Sequence, residues 1–295
     1  MAMHGFLNID KPAGMTSHDV IAHIRRSARQ KRVGHAGTLD PAATGVLVVA
    51  LGHATRLIEY VQDTTSKRYL ATVYLGATTT TDDAEGQVLA TVAVPPLNRA
   101  ALEEALEPFQ GEILQVPPMY SALHHQGRRL HELAREGIVV ERAARPVTIE
   151  RLELLDWDSP RLILDIMCSK GTYIRSLARD LGESLGCGAH LQALRRTAVG
   201  TFLIEQATPL AQLIDEPGDT DPLSQALLPP EIAVVDWPVV QLGTEAVRQV
   251  RNGSAIAFTD IDADRVRAHG SEGELLALLV RAGDLWKPVK VFDWS

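Results

Sequence analysis

One carboxylate stands out by its surroundings, in the segment from Gly34 to Gly45 that reads GHAGTLDPAATG. Small residues leave open space beside Asp40, and Pro41 biases Asp40 toward extended backbone angles. The apolar run Val46–Leu51 follows directly and predicts a strand buried on both faces. A carboxylate on a loop with such a rigid support can act as a nucleophile or a base. An ordinary Asp-Pro turn is the alternative that this segment alone leaves open.

A second group of reactive side chains lies between Thr172 and Arg175. If Thr172 is the N-cap of a helix, Arg175 lies in the first turn, where a cation opposes the helix dipole. An anionic partner would offset that cost, either a carboxylate such as Asp40 or a phosphate. Tyr173 at the helix start and Tyr69 in a predicted strand offer aromatic faces on which a base could stack. A tyrosine at the edge of the core and an arginine that reaches solvent are the alternatives.

The sequence contains none of the motifs that are typical of the common cofactor and metal sites. It has no P-loop, no dinucleotide-binding glycine fingerprint, no H-E-x-x-H, no zinc-deaminase motif and no G-x-S-x-G elbow. Cys168 and Cys187 form no C-x-x-C, which favours a reducing compartment. We therefore expect no cofactor, no metal and a cytoplasmic location.

The composition is that of an ordinary folded protein: 295 residues, 45 % hydrophobic and 22 % charged. No apolar run approaches the roughly 20 residues that a membrane-spanning helix needs, and the first residues do not form a signal peptide. We therefore expect no membrane association. The formal net charge of −8, taken alone, argues against a nucleic-acid partner.

The charge is distributed very unevenly along the chain. Residues 197–247, the acidic segment, contain eight Asp or Glu and no Lys or Arg, and so hold the whole net charge. Residues 1–70 carry nine Lys or Arg against five Asp or Glu. Five of these cations form the basic run: Arg25, Arg26, Arg29, Lys31 and Arg32. The basic run could bind phosphates or be the solvated face of a helix, and we expect the acidic segment to face away from any RNA.

Hydrophobic spacing places these residues on elements. The pattern after Thr16 predicts a helix that carries the basic run and ends near Gly34. Residues 69–75 and 162–168 predict strands, and a helix with an apolar inner face follows Thr172. Prolines interrupt the chain after residue 203, and from about Glu245 the pattern predicts a small β-rich module.

Together these motifs resemble the bacterial tRNA pseudouridine-55 synthases of the TruB family. The segment 34–47 is similar to the catalytic loop of that family, residues 67–69 to its K-x-Y motif and residues 170–175 to its K-G-T-Y-I-R motif. Residues 10–12 and 117–123 also match, in the right order. The loop usually written S-D-A-D-G reads DDAEG here, with Asp83 aligned to its first acid, and His124 replaces a usual lysine.

The resemblance implies a role for each candidate site residue. Asp40 is the catalytic aspartate, Arg175 its partner, and Tyr69 the aromatic that stacks on the target base. Tyr173 is the second active-site tyrosine, and the remaining substrate contacts are His35 and Leu194. Phosphate contacts are expected from the basic run and from six further cations: Lys67, Arg68, Arg128, Arg129, Arg195 and Arg196.

The fold implied is α+β, with a mixed, largely antiparallel central sheet flanked by helices. The resemblance divides the chain into a catalytic domain, 1–235, with an RNA-clamping insertion at about 117–145, and a PUA-like RNA-binding domain, 236–295. The reaction implied is the cofactor-free isomerisation of uridine 55 in the T loop of tRNA by base flipping, in a monomer without an obligate protein partner.

Three other functions remain open at this point. The first is a guide-RNA-dependent synthase of ribosomal RNA, which would be expected to carry terminal extensions and a more basic tail. The second is an RNA-binding or tRNA-folding chaperone in which the synthase site is secondary. The third is a hydrolase that uses Asp40.

Overall fold

The computed structural model describes residues 2–64, 66–121, 123–214, 221–258 and 261–294. The strands are β1 (Gly5–Lys11), β2 (Val33–His35), β3 (Thr44–Leu51), β4 (Lys67–Leu75), β5 (Ala77–Thr79), β6 (Val88–Thr91), β7 (Gly111–Gln115), β8 (His124–His125), β9 (Arg128–Arg129), β10 (Arg145–Asp158), β11 (Arg161–Cys168), β12 (Ala189–Val199), β13 (Phe202–Leu203), β14 (Thr208–Pro209), β15 (Val239–Gln241), β16 (Arg265–His269), β17 (Leu275–Ala282) and β18 (Leu285–Val291). The α-helices are α1 (Ser17–Ser27), α2 (Ile58–Thr64), α3 (Arg99–Leu106), α4 (Leu130–Arg135), α5 (Ile174–Ser184), α6 (Leu210–Ile214), α7 (Pro222–Ala226) and α8 (Thr244–Arg251).

A ten-stranded sheet dominates the described part of the chain. Its order is β14-β1-β3-β12-β4-β11-β10-β7, with β2 also paired to β3 and β13 to β12. Only β1–β14 and β3–β12 pair in parallel among these described strands, and the other pairs are antiparallel. The expected mixed, largely antiparallel sheet is therefore confirmed. β3, β12 and β4, which carry or adjoin the candidate site, are neighbours at its centre.

The strand β3 is buried on both faces, as its continuous apolar run predicts. Leu47 and Val49 pack in a first core with the inward face of α1, whereas Val46 and Val48 pack in a second core on the opposite face. This central position gives the loop that precedes β3 a rigid support.

The helix α1 begins where the sequence predicts and ends earlier. Thr16 caps it with a capping box, but the helix stops at Ser27 rather than near Gly34. Arg29 takes a left-handed conformation, φ 49°, and the chain returns as β2 along β3. The basic run is therefore split between the last helical turn and the following connection.

The helix α5 starts one residue later than expected. Its N-cap is Tyr173, which provides no side-chain cap, so the assignment of Thr172 as N-cap is wrong. Arg175 still lies in the first turn, and the apolar face that includes Leu177 and Leu181 is buried as predicted.

Two smaller parts complete the chain. Between residues 117 and 145, the hairpin β8–β9 leads into the short helix α4. Toward the C-terminus, β15-β16-β17-β18 form a four-stranded sheet around the fully buried Trp286. The predicted β-rich module is thus present.

Candidate active site

The Asp40 loop, residues 37–45, connects β2 to β3. Its two ends have positive φ, 107° at Gly37 and 99° at Gly45, which a residue with a side chain rarely adopts. At Gly45 an added Cβ would lie 2.2 Å from the carbonyl oxygen of Arg196, so only glycine fits there. The Asp40 side chain is 44 % exposed. The loop thus presents its carboxylate to an approaching substrate.

Buried side chains hold the Asp40 loop from below. Ser17 Oγ donates to the carbonyl oxygen of Leu39 at 3.1 Å and accepts from its N–H at 2.9 Å. The fully buried Lys11 donates from Nζ to the carbonyl oxygen of Pro41 at 3.2 Å and to two carbonyls before α1. Burial lowers the pKa of Lys11, and the negative charge of Asp40 opposes that shift.

Arg175 joins Asp40 to a second carboxylate. Its Nη2 lies 3.1 Å from Asp40 Oδ2, and its Nη1 lies 3.6 Å from Asp83 Oδ2. The same guanidinium donates to the carbonyl oxygens of Tyr120 at 2.8 Å and Thr81 at 3.3 Å. Its side chain is only 9 % exposed. Of the two anions considered for Arg175, the structure supplies the carboxylate, and the contact orients Asp40.

Two tyrosines flank this ion pair. Burial raises the pKa of Tyr69 on β4, while the positive charge of Arg196 opposes the shift. Burial also raises the pKa of Tyr173, while a hydrogen bond with Ser121 opposes that shift. The charge of Asp40 raises both pKa values further, which places the three side chains within electrostatic reach of one another. Both phenols are therefore protonated near neutral pH.

A buried amide fixes the start of α5. Gln115, at the end of β7, donates from Nε2 to the carbonyl oxygen of Tyr173 at 3.1 Å and accepts from its N–H at 2.8 Å. One turn further, Ser176 Oγ donates to the carbonyl oxygen of Val116 at 2.8 Å. These bonds set the position of the helical turn that carries Arg175.

His35 and Leu194 lie on strands that border the Asp40 loop. His35 ends β2, and its ring packs edge-to-face on His18 at 5.5 Å between centroids. Burial, and to a lesser extent the neighbouring His18 and Arg196, lower its pKa, so its imidazole is neutral at pH 7. Leu194 on β12 is partly buried against the first core. The structure thus places the other five predicted site residues on elements near the Asp40 loop.

Known proteins match this chain over its whole length. A family model for the N-terminal domain of TruB family pseudouridylate synthases matches residues 25–174. The tRNA pseudouridine synthase B of Syntrophomonas wolfei is 47 % identical over 283 residues, covering 94 % of this chain and 93 % of that protein. The chain belongs to the TruB family. It is accordingly an isomerase, and the resemblance seen in its motifs is confirmed.

Further matches agree with membership of the TruB family. Residues 175–235 match a tRNA pseudouridylate synthase B C-terminal domain, and residues 237–293 match a tRNA pseudouridine synthase II C-terminal domain. The tRNA pseudouridine synthase B of Haemophilus influenzae strain PittEE is 41 % identical, covering 99 % of this chain and 96 % of that protein. A chain in a Cbf5-Nop10-Gar1 complex is similar in structure, with a TM-score of 0.74 at 29 % identity over 98 % of this chain and 85 % of that chain. The pseudouridine synthase fold is therefore confirmed.

In this TruB-family protein, the cations that are predicted to bind phosphate differ in whether they already pair with an acidic side chain. No residue of the basic run pairs with a carboxylate among the described residues, although Arg25 donates to the carbonyl oxygen of Val33. Three other cations have acidic partners: Arg68 with Asp165, Arg128 with Glu136 and Arg195 with Asp10. Arg129 is exposed, and Lys67 is half-buried with its pKa lowered by burial.

Arg196 is a correction to the predicted phosphate contacts. The residue is only 1 % exposed, because β12 turns its side chain into the molecule beneath the Asp40 loop. All of its hydrogen bonds are to protein groups. A backbone phosphate cannot reach this guanidinium, so the predicted RNA contact is wrong.

The acidic side chains of this segment that form ion pairs do so with residues outside the Asp40 loop. Glu231 lies 2.9 Å from His269 Nε2 on β16, and Asp221 caps α7. Asp215, Glu216 and Asp219 lie outside the described residues. Within the described ranges, no cluster of three or more His, Cys, Asp or Glu could hold a metal ion, and no helix is long and apolar enough to span a membrane. The cytoplasmic location stays a prediction.

Sequence reasoning missed several residues that support the site. Lys11 lies in the D-K-P stretch that matches the TruB family, so the motif marks the segment but not its carbonyl contacts. Ser17 belongs to the same matching stretch, which continues to Asp19, and is also a helix-cap candidate, but neither signal predicts its contact with Leu39. Gln115 carries no sequence signal, because its partner Tyr173 is distant in the chain and the two meet only in the folded sheet.

Proposed function

We propose that this protein converts uridine 55 in the T loop of tRNA to pseudouridine. The observation that carries the proposal is the half-exposed Asp40 carboxylate, held by Arg175 at 3.1 Å on a loop flanked by two protonated tyrosines. Relatives such as the Syntrophomonas wolfei protein bear the name tRNA pseudouridine synthase B, which supports tRNA as the substrate.

The reaction rearranges bonds within one nucleotide. The bond between C1′ of the ribose and N1 of the base breaks, the base rotates, and a bond forms between C1′ and C5. A proton leaves C5 and one is gained at N1, so substrate and product contain the same atoms. The reaction therefore needs no oxidant, reductant or group donor, in keeping with the cofactor-free mechanism expected from the motifs.

Asp40 is the nucleophile or its equivalent in this proposal. Arg175 orients the carboxylate through the contact of its Nη2 with Asp40 Oδ2 at 3.1 Å. Tyr69 stacks on the flipped uracil, and Tyr173, Leu194 and His35 complete the pocket. Because Tyr173 stays protonated near neutral pH, it acts as a hydrogen-bond donor rather than as a base.

The substrate uridine must leave its stack to reach Asp40, at a cost of a few kcal/mol. Contacts to phosphates offset that cost. The basic run and Arg129 are the best-placed candidates. The basic run has no acidic partner among the described residues, and Arg129 is exposed at the insertion. Arg68, Arg128 and Arg195 would have to exchange a carboxylate for a phosphate.

A guide-RNA-dependent activity is less well supported. The chain in the Cbf5-Nop10-Gar1 complex is 29 % identical to this protein, whereas several tRNA pseudouridine synthases B are 41–48 % identical over most of the chain. Activity on an isolated T-arm RNA, without a guide, would separate the two.

The test is tritium release from C5-labelled uridine in a T-arm stem-loop. We expect release by the wild type and none above background by Asp40→Asn, with RNA binding retained. Asp158→Asn, which changes an exposed aspartate in the β10–β11 hairpin, is the matched control and should retain full activity. Full activity of Asp40→Asn would refute the mechanism. Binding without release by the wild type would instead support a tRNA-folding chaperone.

A further inference from the structure

Arg196 is a buried cation without an acidic partner among the described residues. It is 1 % exposed, and none of the ion pairs in the described part of the chain includes it. Burying a charge is costly unless other groups replace the lost hydration. The groups that surround this guanidinium therefore reveal what it does.

The hydrogen bonds of Arg196 reach both ends of the Asp40 loop. Its Nη2 and Nη1 donate to the carbonyl oxygens of Gly37 at 3.1 Å and Thr38 at 3.3 Å, at the start of the loop. Its Nε donates to the carbonyl oxygen of Val46 at 2.7 Å, directly after the loop ends. The rigid guanidinium of Arg196 thus joins the two ends of the loop that carries Asp40.

The backbone of Arg196 meets the same loop. Arg196 and Gly45 are register partners in the parallel pair β3–β12, and the glycine packs so closely that an added Cβ would lie 2.2 Å from the arginine carbonyl oxygen. On the other side of β12, Arg196 is the register partner of Tyr69, and its positive charge opposes the rise in the pKa of the Tyr69 phenol that burial causes. Arg196 therefore contacts the Asp40 loop and Tyr69 at once.

We propose that Arg196 is a positioning residue that sets the Asp40 carboxylate and the Tyr69 ring in their reactive arrangement. The inference rests on the proposed function, since the arrangement matters only if the two groups act on one uridine. Arginine is required because its planar fork offers donors along two edges, whereas a lysine ammonium is a single point. A misplacement of about 1 Å can cost on the order of 100-fold in rate.

The test is Arg196→Lys, which keeps the charge and removes the fork. We expect its single-turnover rate of tritium release, with enzyme in excess over a T-arm stem-loop, to fall by about 30-fold or more. The dissociation constant for that RNA should stay within about threefold, because a buried residue contributes no phosphate contact. Arg99→Lys is the matched control: its guanidinium also holds two backbone carbonyls, those of Leu154 and Leu155, away from Asp40, and its rate should be that of the wild type.

A coupling measurement separates positioning from a general structural role. Tyr69→Phe removes the hydroxyl that lies in the field of the Arg196 charge, so this change should cost less rate in the Arg196→Lys protein than in the wild type. Four results would each overturn the proposal. Arg196→Lys could turn over at the wild-type rate, or its effect could be strictly additive with that of Tyr69→Phe. Its binding and rate could fall in parallel, or it could lose the near-ultraviolet circular dichroism of the folded protein. Absence of release by the wild type would instead refute the proposed function.

Discussion

Replacing Arg175 by leucine tests the central ion pair of the site. The change removes a guanidinium whose side chain is 9 % exposed and leaves Asp40 and Asp83 without their shared cation. A hydrogen bond to a charged group contributes about 1.5–3 kcal/mol. With the ion pair to Asp40 taken at the same value, and 1.36 kcal/mol for each factor of ten, its removal predicts a fall in turnover of about 10- to 150-fold.

RNA binding should change far less than turnover. Because the Arg175 side chain is only 9 % exposed and its guanidinium already contacts protein groups, it offers little surface to a phosphate. Thermal stability should fall, because the carbonyl oxygens of Thr81 and Tyr120 lose their donor. Single-turnover tritium release, filter binding and thermal melting measure the three quantities, with kinetics recorded well below the melting transition.

Arg179→Leu is the matched control for this experiment. Arg179 lies one turn later on α5 and is similarly enclosed, but its partners are Asp82, Asp180 and the carbonyl oxygen of Val116. We expect it to lose stability while keeping turnover within about threefold of the wild type. If Arg175→Leu reduced binding and turnover in equal proportion, Arg175 would be a phosphate contact rather than the residue that orients Asp40. A loss of turnover no greater than that of the control would refute the orienting role as well.

Three further predictions concern the loop, the sheet and the RNA surface. Gly45→Ala should lower the free energy of unfolding by about 2–5 kcal/mol in urea titrations, because the new Cβ would clash with the Arg196 carbonyl oxygen and the backbone φ is positive. Gly253 also has a positive φ but open space around it, so Gly253→Ala should lower the free energy of unfolding clearly less. Hydrogen bonds from Arg68 lower the pKa of Asp165 below its ordinary value of 3.8, so this carboxylate stabilises the fold above that pH and loses the contribution as pH falls through its folded pKa. Asp165→Asn should therefore destabilise most at pH 7, with the difference shrinking below about pH 4, and a pH-independent difference would contradict the assignment. Changing the basic run to glutamine should flatten the salt dependence of RNA affinity by about 0.7–0.9 in log–log slope for each phosphate that the protein no longer neutralises, and an unchanged slope would show that the RNA binds elsewhere.

Local patterns predicted those elements whose causes are local. The run Val46–Leu51 indicated burial on both faces, and Thr16 with Asp19 forms the capping box that starts α1. The end of α1 was missed, because nothing in the apolar spacing announces the left-handed turn at Arg29. The start of α5 was missed by one residue, since its N-terminus is held by Gln115 rather than by a side-chain cap of its own.

Burial of polar side chains was the hardest property to predict. Arg195 and Arg196 look alike in the sequence, yet the first lies at the surface beside Asp10 and the second is enclosed beneath the Asp40 loop. The difference arises from the alternation of β12 and from its pairing with β3, about 150 residues away in the chain, as the register Arg196↔Gly45 shows. Arg68 pairs with Asp165 across the antiparallel pair β4–β11 in the same way. The ionic groups could be recognised from sequence, but not which of them face solvent.

The second core has a consequence for any attempt to divide this protein. Leu275 and Leu278 of β17 and Phe292, directly after β18, belong to the same core cluster as Val46 and Val48 of β3. A truncation before the C-terminal sheet would remove part of this shared core. The C-terminal part therefore shares a core with the part of the chain that carries Asp40, so a shortened protein or a chimera would need replacement apolar side chains to fill that core.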